Sequence, residues 1–398
     1  MARKIKVLFV TSELFPFVKT GGLADVSSAL PQTLTSLGHE VRIVVPKYGA
    51  IDLRKYKIHD ILRLKELTTK IGNKEVTYAL KSSFLPVQKI RVQIYFLEND
   101  EYYGNRKSLY IDPITGVDYK DNDERFIFFA KTVFDLIDKL SWVPDIIHCN
   151  DWQCGLVPAY HKTIFKNDHI FSKIKTLFTI HNFSYQGIFP LSSFEKTGLP
   201  EKLKSENGIV HKGKINFMKS GIMFADCVNT VSEGYAKEII KDSKLSNGLN
   251  TVLQKRKDKI YGIINGIDTN VWNPEKDKFI AKNYSLKNLE NKIVNKKVLL
   301  ERFGLKFDDN IPVIGTISRL YESKGTDLLI DSFDELMKLN LQFILLGTGE
   351  RKYQTAFEKF SKKYSDKFVC YLGFNDELSH QIEAGVDMFL IPSKYEPC

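Results

Sequence analysis

Short apolar, β-branched runs alternate with longer amphipathic segments along this chain, and no other feature restricts its fold as much. The runs fall at residues 7–10, 41–45, 92–97, 146–149, 177–180 and 227–231, and a second series falls at 260–264, 313–317, 343–346, 369–372 and 388–391. Several are apolar at consecutive positions, the pattern of parallel strands covered on both faces. Between them, segments such as 126–140 and 328–339 carry apolar residues at helical spacing. Strand–helix alternation of this kind points to doubly wound α/β architecture. At 398 residues the chain exceeds one ordinary core, so two series of strands mean two Rossmann-like domains. The polar stretch 241–259 is the least sheet-like region between them and sets the expected domains at 1–256 and 257–398. Residues 282–297, rich in Lys and Asn, read as a solvated face or a connecting segment, and 102–120 as a long loop.

Charge and composition exclude several classes. Lys and Arg number 58 against 48 Asp and Glu, a net charge of +10. Acids are interspersed along almost every basic stretch, so the excess reads as a lysine-rich surface suited to an anionic small substrate, with no nucleic-acid partner. No apolar run approaches the ~18 residues of a membrane helix. The start, Met1-Ala2-Arg3-Lys4-Ile5, leads into a brief strand and then Ser-Glu without a small-residue cleavage site, which argues against secretion and for a cytoplasmic protein. Cys149, Cys154, Cys227, Cys370 and Cys398 show no Cys-x-x-Cys spacing and read as reduced, mostly buried residues.

Ligands of open α/β sheets sit at the carboxyl ends of strands. The first strand runs into Ser12-Glu13 and then Lys19-Thr20-Gly21-Gly22-Leu23-Ala24-Asp25, a strand–glycine–helix junction. Unpaired N–H groups and the positive end of a helix make such a junction an anion site, and Lys19 adds a full charge. Later strand ends carry Asn150-Asp151-Trp152, His181-Asn182 with Tyr185-Gln186-Gly187, Asn265-Gly266-Ile267-Asp268, Ser318-Arg319 with Lys324-Gly325, Gly347-Thr348-Gly349-Glu350, and Pro392-Ser393-Lys394-Tyr395-Glu396-Pro397-Cys398. Singly, each has a plainer meaning. Asp151 could cap a helix, His181 could be a core histidine, Gly347 and Gly349 could form an ordinary turn, and Arg319 and Lys324 could be a surface pair. Their shared position at strand ends argues for one ligand-lined crevice. There is no zinc-type cluster, no P-loop, no dinucleotide fingerprint after the first strand and no nucleophile elbow.

In this order and spacing, the glycine-loop string, Asn150-Asp151-Trp152, His181-Asn182 with Tyr185-Gln186-Gly187, Thr230-Val231-Ser232, Asn265-Gly266-Ile267-Asp268 with Trp272-Asn273-Pro274, the Arg319 and Lys324 motif and the Glu396 motif resemble bacterial glycogen synthases and plant starch synthases. The resemblance implies a GT-B glycosyltransferase, two Rossmann-like domains facing across a cleft. It implies transfer of glucose from ADP-glucose to the non-reducing end of an α-1,4-glucan with retention of configuration, with no metal and no cofactor. By the same resemblance Lys19, Arg319 and Lys324 hold the diphosphate, whose growing charge preorganised cations stabilise. His181 and Asn182 contact the transferred glucose, Asp151 lies near the acceptor and the reacting carbon, and Glu396 binds glucose hydroxyls or steadies the anomeric carbon. Glu13, Asp25, Tyr103, Gly21, Gly22, Gly347 and Gly349 are further substrate-binding candidates.

Family members continue past Glu-Pro-Cys into another helix, whereas this sequence stops at Cys398. The expectation is therefore a C-terminally truncated second domain, with the strand at 388–391 left uncovered. Two alternatives stay open: a related transferase using UDP-glucose or another acceptor, and a non-catalytic nucleotide- or glucan-binding remnant.

Overall fold

The computed structural model describes residues 3–86, 90–106 and 108–398. Met1 and Ala2, and Lys107 within the expected loop 102–120, lie outside the described residues. The chain divides into two compact units, one running to Gly266 and including Pro397–Cys398, the other Ile267–Glu396.

The first unit is built on one sheet whose parallel part runs, in spatial order, Ile260–Gly262, Cys227–Thr230, Lys175–Ile180, Ile146–Asn150, Lys6–Val10, Glu40–Pro46 and Gln93–Glu98. The chain starts in the middle, winds outward to Gln93–Glu98, then crosses to the other side of the first strand through the helix Asn122–Leu140. The reversal falls between Lys6–Val10 and Ile146–Asn150, and their carboxyl ends flank the place where such folds bind ligands. The central strands are apolar at consecutive positions because both faces are covered; Leu8, Phe9 and Val10 are all buried.

Three features depart from the sequence expectations. The antiparallel strands Lys74–Phe84, Leu67–Ile71 and His59–Asp60 extend the sheet beyond Gln93–Glu98, and a small sheet forms from Ile188–Phe189, Val210–His211 and Lys214–Asn216. The run expected to open the second series, Ile260–Gly262, pairs in parallel with Cys227–Thr230 and is the edge of the first sheet. Of the cysteines, all free, only Cys149 and Cys154 are buried; Cys227 and Cys370 are half-buried and Cys398 is exposed.

The second unit holds a four-stranded parallel sheet in the order Phe368–Leu372, Gln342–Gly349, Val313–Leu320, Met388–Phe389. Its central strand serves two cores. Phe343 and Leu345 pack with Phe333, Phe357 and Phe368 on one face, and Ile344 and Leu346 with Leu299, Leu300 and Ile382 on the other. The winding reverses between Val313–Leu320 and Met388–Phe389, so this unit has a switch point of its own. Met388, Phe389 and Ile391 are exposed. No described helix is long and apolar enough to cross a membrane.

Candidate functional site

In the first unit the strand Lys6–Val10 delivers Glu13 to the switch point, where its side chain is buried. The carboxylate accepts from Thr20 N at 2.6 Å, Thr20 Oγ1 at 2.5 Å, Gly21 N at 3.2 Å and the Tyr110 hydroxyl at 3.0 Å. Four donors on one carboxylate make it the anchor of the glycine loop. The helix Gly22–Ser36 follows with no side-chain cap on its first turn, leaving N–H groups there for other acceptors. A side chain added at Gly21 or Gly22 would meet nothing within 4 Å. Packing within the chain therefore does not demand these glycines; they keep the loop surface bare. Lys19, at the rim, pairs with Asp25 at 2.9 Å and lies 5.6 Å from the Phe15 ring.

Across the switch point, Asp151 follows the strand Ile146–Asn150. Its backbone sits at φ +57°, a left-handed conformation that costs a non-glycine residue energy and persists only where the surroundings impose it. The imposing contacts are Asp151 N to the Thr179 carbonyl at 2.9 Å and His181 N to Asp151 Oδ1 at 2.7 Å. Burial pushes the carboxyl up to about 7, with the Glu13 charge adding to the rise and the N–H groups of His181 and Asn182 opposing it.

Burial holds His181 down at about 4, so its imidazole is neutral near pH 7. Its tautomer follows from its neighbour. Asn150 Nδ2 donates to the carbonyls of Val10, at 3.0 Å, and His148, at 3.3 Å, which turns Oδ1 toward His181 Nε2 at 3.1 Å. Nε2 therefore carries the proton and Nδ1 is left as an acceptor. Asn182 Oδ1 accepts from Ser184 N at 2.8 Å. In the same loop Tyr185 is exposed while Gln186 is buried, bonded to Asn216 and to the Ser246 carbonyl. Gly187 lies against the Trp152 ring, where an added Cβ would come within 2.3 Å.

In the second unit, Lys324 and Glu396 meet at the switch point as an ion pair at 2.5 Å, and Ser393 Oγ donates to the same carboxylate at 2.8 Å. Lys394 reaches back to Asp327 and Glu322, so the segment carrying Glu396 is tied to the start of the helix Thr326–Leu336. Arg319 is exposed; its guanidinium lies 5.9 Å from the Tyr321 ring and pairs with no carboxylate among the described residues. Gly347 and Gly349 have a reason internal to the sheet: an added Cβ would fall 2.2 Å from the Ser318 carbonyl oxygen and 2.3 Å from that of Leu320. No group of three or more His, Cys, Asp or Glu among the described residues could hold a metal.

Each unit thus gathers its own candidates: Glu13, Lys19, Gly21, Gly22, Asp25, Asp151, His181 and Asn182 in the first, and Arg319, Lys324, Gly347, Gly349 and Glu396 in the second. Tyr103 is the correction. It is fully buried, its hydroxyl donates to the Arg125 carbonyl at 2.5 Å, and its ring packs on Tyr48 and Phe128. No atom of it is left for a substrate. The residue from that region that does reach the site is Tyr110; its place in a stretch read as loop concealed it.

Residues 6–255 match the starch synthase catalytic domain family, and residues 311–398 match the glycosyl transferases group 1 family. The glycogen synthase of Geotalea daltonii is 42% identical over 394 residues, 99% of this chain and 79% of the relative. That of Thermotoga maritima is 41% identical over 396 residues, with 99% and 79% covered.

The chain belongs to the glycogen and starch synthase family.

The solved catalytic domain of starch synthase IV from Arabidopsis thaliana, bound to ADP and acarbose, matches with a TM-score of 0.90 at 28% identity, covering 100% of this chain and 80% of that one. A glycosyltransferase from Rickettsia africae, at 16% identity and a TM-score of 0.50, shares the fold alone. This member of the family is a glucosyltransferase of GT-B architecture with the glycogen or starch synthase function. The chain spans about 80% of the length of the glycogen synthases it matches, 80% for that of Pelodictyon phaeoclathratiforme at 39% identity.

Proposed function

We propose that this synthase transfers glucose from ADP-glucose to the non-reducing end of an α-1,4-glucan, in the cytoplasm and with retention of configuration. One observation carries the reading: the family's motif residues stand at the carboxyl ends of strands at or next to each unit's switch point, and of the cations among them Arg319 pairs with no carboxylate among the described residues while Lys19 and Lys324 each pair with a carboxylate of the same strand-end segments. In the first unit, Lys19, the bare Gly21-Gly22 loop and the uncapped helix start form an anion-binding arrangement suited to the donor's diphosphate; in the second, Arg319 and Lys324 are the cations available to a phosphate. Charge grows on the leaving ADP as the glycosidic bond breaks, and fixed cations and N–H groups stabilise it. In the resting chain Lys19 and Lys324 are neutralised by Asp25 and Glu396; the diphosphate takes over the lysines and frees the carboxylates for sugar hydroxyls. His181, neutral with Nε2 protonated, offers Nδ1 as acceptor to a glucose hydroxyl. Asp151 stands beside it, near the acceptor and the reacting carbon. The ADP in the related Arabidopsis structure supports the choice of nucleotide.

The test is elongation of glycogen by the full-length protein with ADP-glucose or UDP-glucose. Label incorporation from ADP-glucose is expected; incorporation from UDP-glucose alone would overturn the donor assignment. In parallel, Lys19→Ala is expected to weaken ADP binding by roughly tenfold or more, the scale of one charge-assisted contact. The melting temperature should barely move, because an exposed pair such as Lys19–Asp25 contributes little stability. Unchanged ADP affinity by calorimetry would remove Lys19 from the site.

A further inference from the structure

The glycine loop is tied to the interior of the first unit by an unbroken series of hydrogen bonds. It begins at Arg125, fully buried on the helix Asn122–Leu140, with no carboxylate partner among the described residues. The guanidinium lies 5.2 Å from the Tyr103 ring and 5.1 Å from that of Tyr119. It donates from Nε to the Tyr102 carbonyl at 2.7 Å and from Nη1 to Asn122 Oδ1 at 2.6 Å. The second bond orients the amide, because an arginine can only donate. Asn122 Nδ2 is thereby turned to the Tyr110 carbonyl at 3.0 Å. The Tyr110 ring packs beside Phe126 and Trp152, and its hydroxyl reaches Ser12 Oγ at 2.8 Å and Glu13 Oε1 at 3.0 Å. The phenol has one proton, and the carboxylate is the stronger acceptor, so the proton goes to Glu13 and Ser12 donates into the phenol oxygen. Glu13 then holds Thr20 and Gly21.

We infer that Tyr110 is a positioning residue for the donor site: held by Asn122 and Arg125, it fixes the Glu13 carboxylate, which in turn fixes the loop that meets the diphosphate. This rests on the reading of that loop as a donor-binding element. Tyr110 touches no substrate. Its contribution is to remove alternative positions of a buried carboxylate whose other partners all belong to the loop. Without the phenol, Glu13 loses a donor and the loop samples more than one geometry, so binding energy is lost to ordering it.

Tyr110→Phe keeps the ring and removes only the hydroxyl. The expected result is ADP binding weakened about tenfold, the scale of one hydrogen bond to a charged group. The KM for the donor should rise in step, with the KM for glycogen and the melting temperature nearly unchanged. Asn122→Asp, which keeps the acceptor for Arg125 and loses the donor to Tyr110, should act in the same direction. Unchanged ADP affinity in Tyr110→Phe, beside weakened affinity in Lys19→Ala, overturns the positioning role and leaves the donor reading standing; unchanged affinity in both overturns both. A drop in melting temperature with equal rises in both KM values reduces Tyr110 to packing and also overturns the inference.

Discussion

Asp151 joins a strained backbone to a carboxyl whose charge the fold disfavours. Its folded value of about 7 lies above the roughly 3.9 of an unfolded aspartate. Between those values the folded chain holds a proton that the unfolded chain has released, so this residue's contribution to stability falls as pH rises through the window. His148 and His181 act in the opposite sense. Burial holds them at about 3 and about 4, below the roughly 6.5 of an unfolded histidine, so their contribution is lost as pH falls from about 6.5. The opposing slopes partly cancel in the parent protein, and a difference measurement separates them. Asp151→Asn keeps an oxygen for the His181 N–H and removes the titration. The melting temperature of the variant relative to the parent is expected to rise by several degrees between about pH 5 and about pH 7.5. A gap constant across that range would show that the carboxyl titrates as it does in water. On the proposed function, which sets Asp151 near the reacting sugar, activity is expected to fall as well.

Among the elements, the turn Glu322–Lys324 and the helix Thr326–Leu336 depend on Gly325. Its φ is +69°, and an added Cβ would lie 2.0 Å from the Pro392 carbonyl oxygen. Gly325→Ala is therefore expected to cost upwards of about 2 kcal/mol and to weaken ADP binding, because the displaced segment after Pro392 carries Glu396, the partner of the neighbouring Lys324. Gly22→Ala is the contrast. Its Cβ meets open space, so melts should barely change while ADP affinity falls, because the room is for the ligand. A Gly22→Ala protein that binds ADP normally would leave that glycine unexplained. Legibility in the sequence follows the same division. Strands apolar at consecutive positions were readable because burial on both faces leaves no room for polar residues. Lys74–Phe84 was not, since it alternates between exposed and buried positions and carries Lys, Glu and Ser. Ile260–Gly262 was readable as a strand but not as a member of the first sheet, because an edge strand's partner is chosen by tertiary packing. At the site, Lys19, Asp151, His181, Lys324 and Glu396 stood out as polar residues at strand ends. Tyr103 and Tyr110 could not be told apart, because a tyrosine's sequence context does not show whether its hydroxyl meets a main-chain carbonyl or the buried carboxylate that anchors the glycine loop.

For the whole molecule the relevant property is electrostatic. A net charge of +10 spread over an interspersed surface gives a mild positive field, and the candidate cations Lys19, Arg319 and Lys324 add short-range attraction for a diphosphate. The two substrates respond differently to such a field: the nucleotide is an anion and the glucan is neutral. Salt screens interactions between exposed charges beyond about 10 Å at about 0.1 M, so raising ionic strength should selectively weaken the nucleotide. Titration of ADP by calorimetry is expected to show affinity falling roughly three- to tenfold between about 0.05 M and about 0.5 M sodium chloride. Binding of a linear maltooligosaccharide over the same range should stay flat. The association rate for ADP should carry part of the fall, because long-range attraction acts on encounter. If both ligands respond equally, salt is acting on the fold and not on the site. If ADP affinity is flat, the diphosphate is held by neutral N–H donors, and the loop Thr20-Gly21-Gly22 with its helix start carries the binding without the cations.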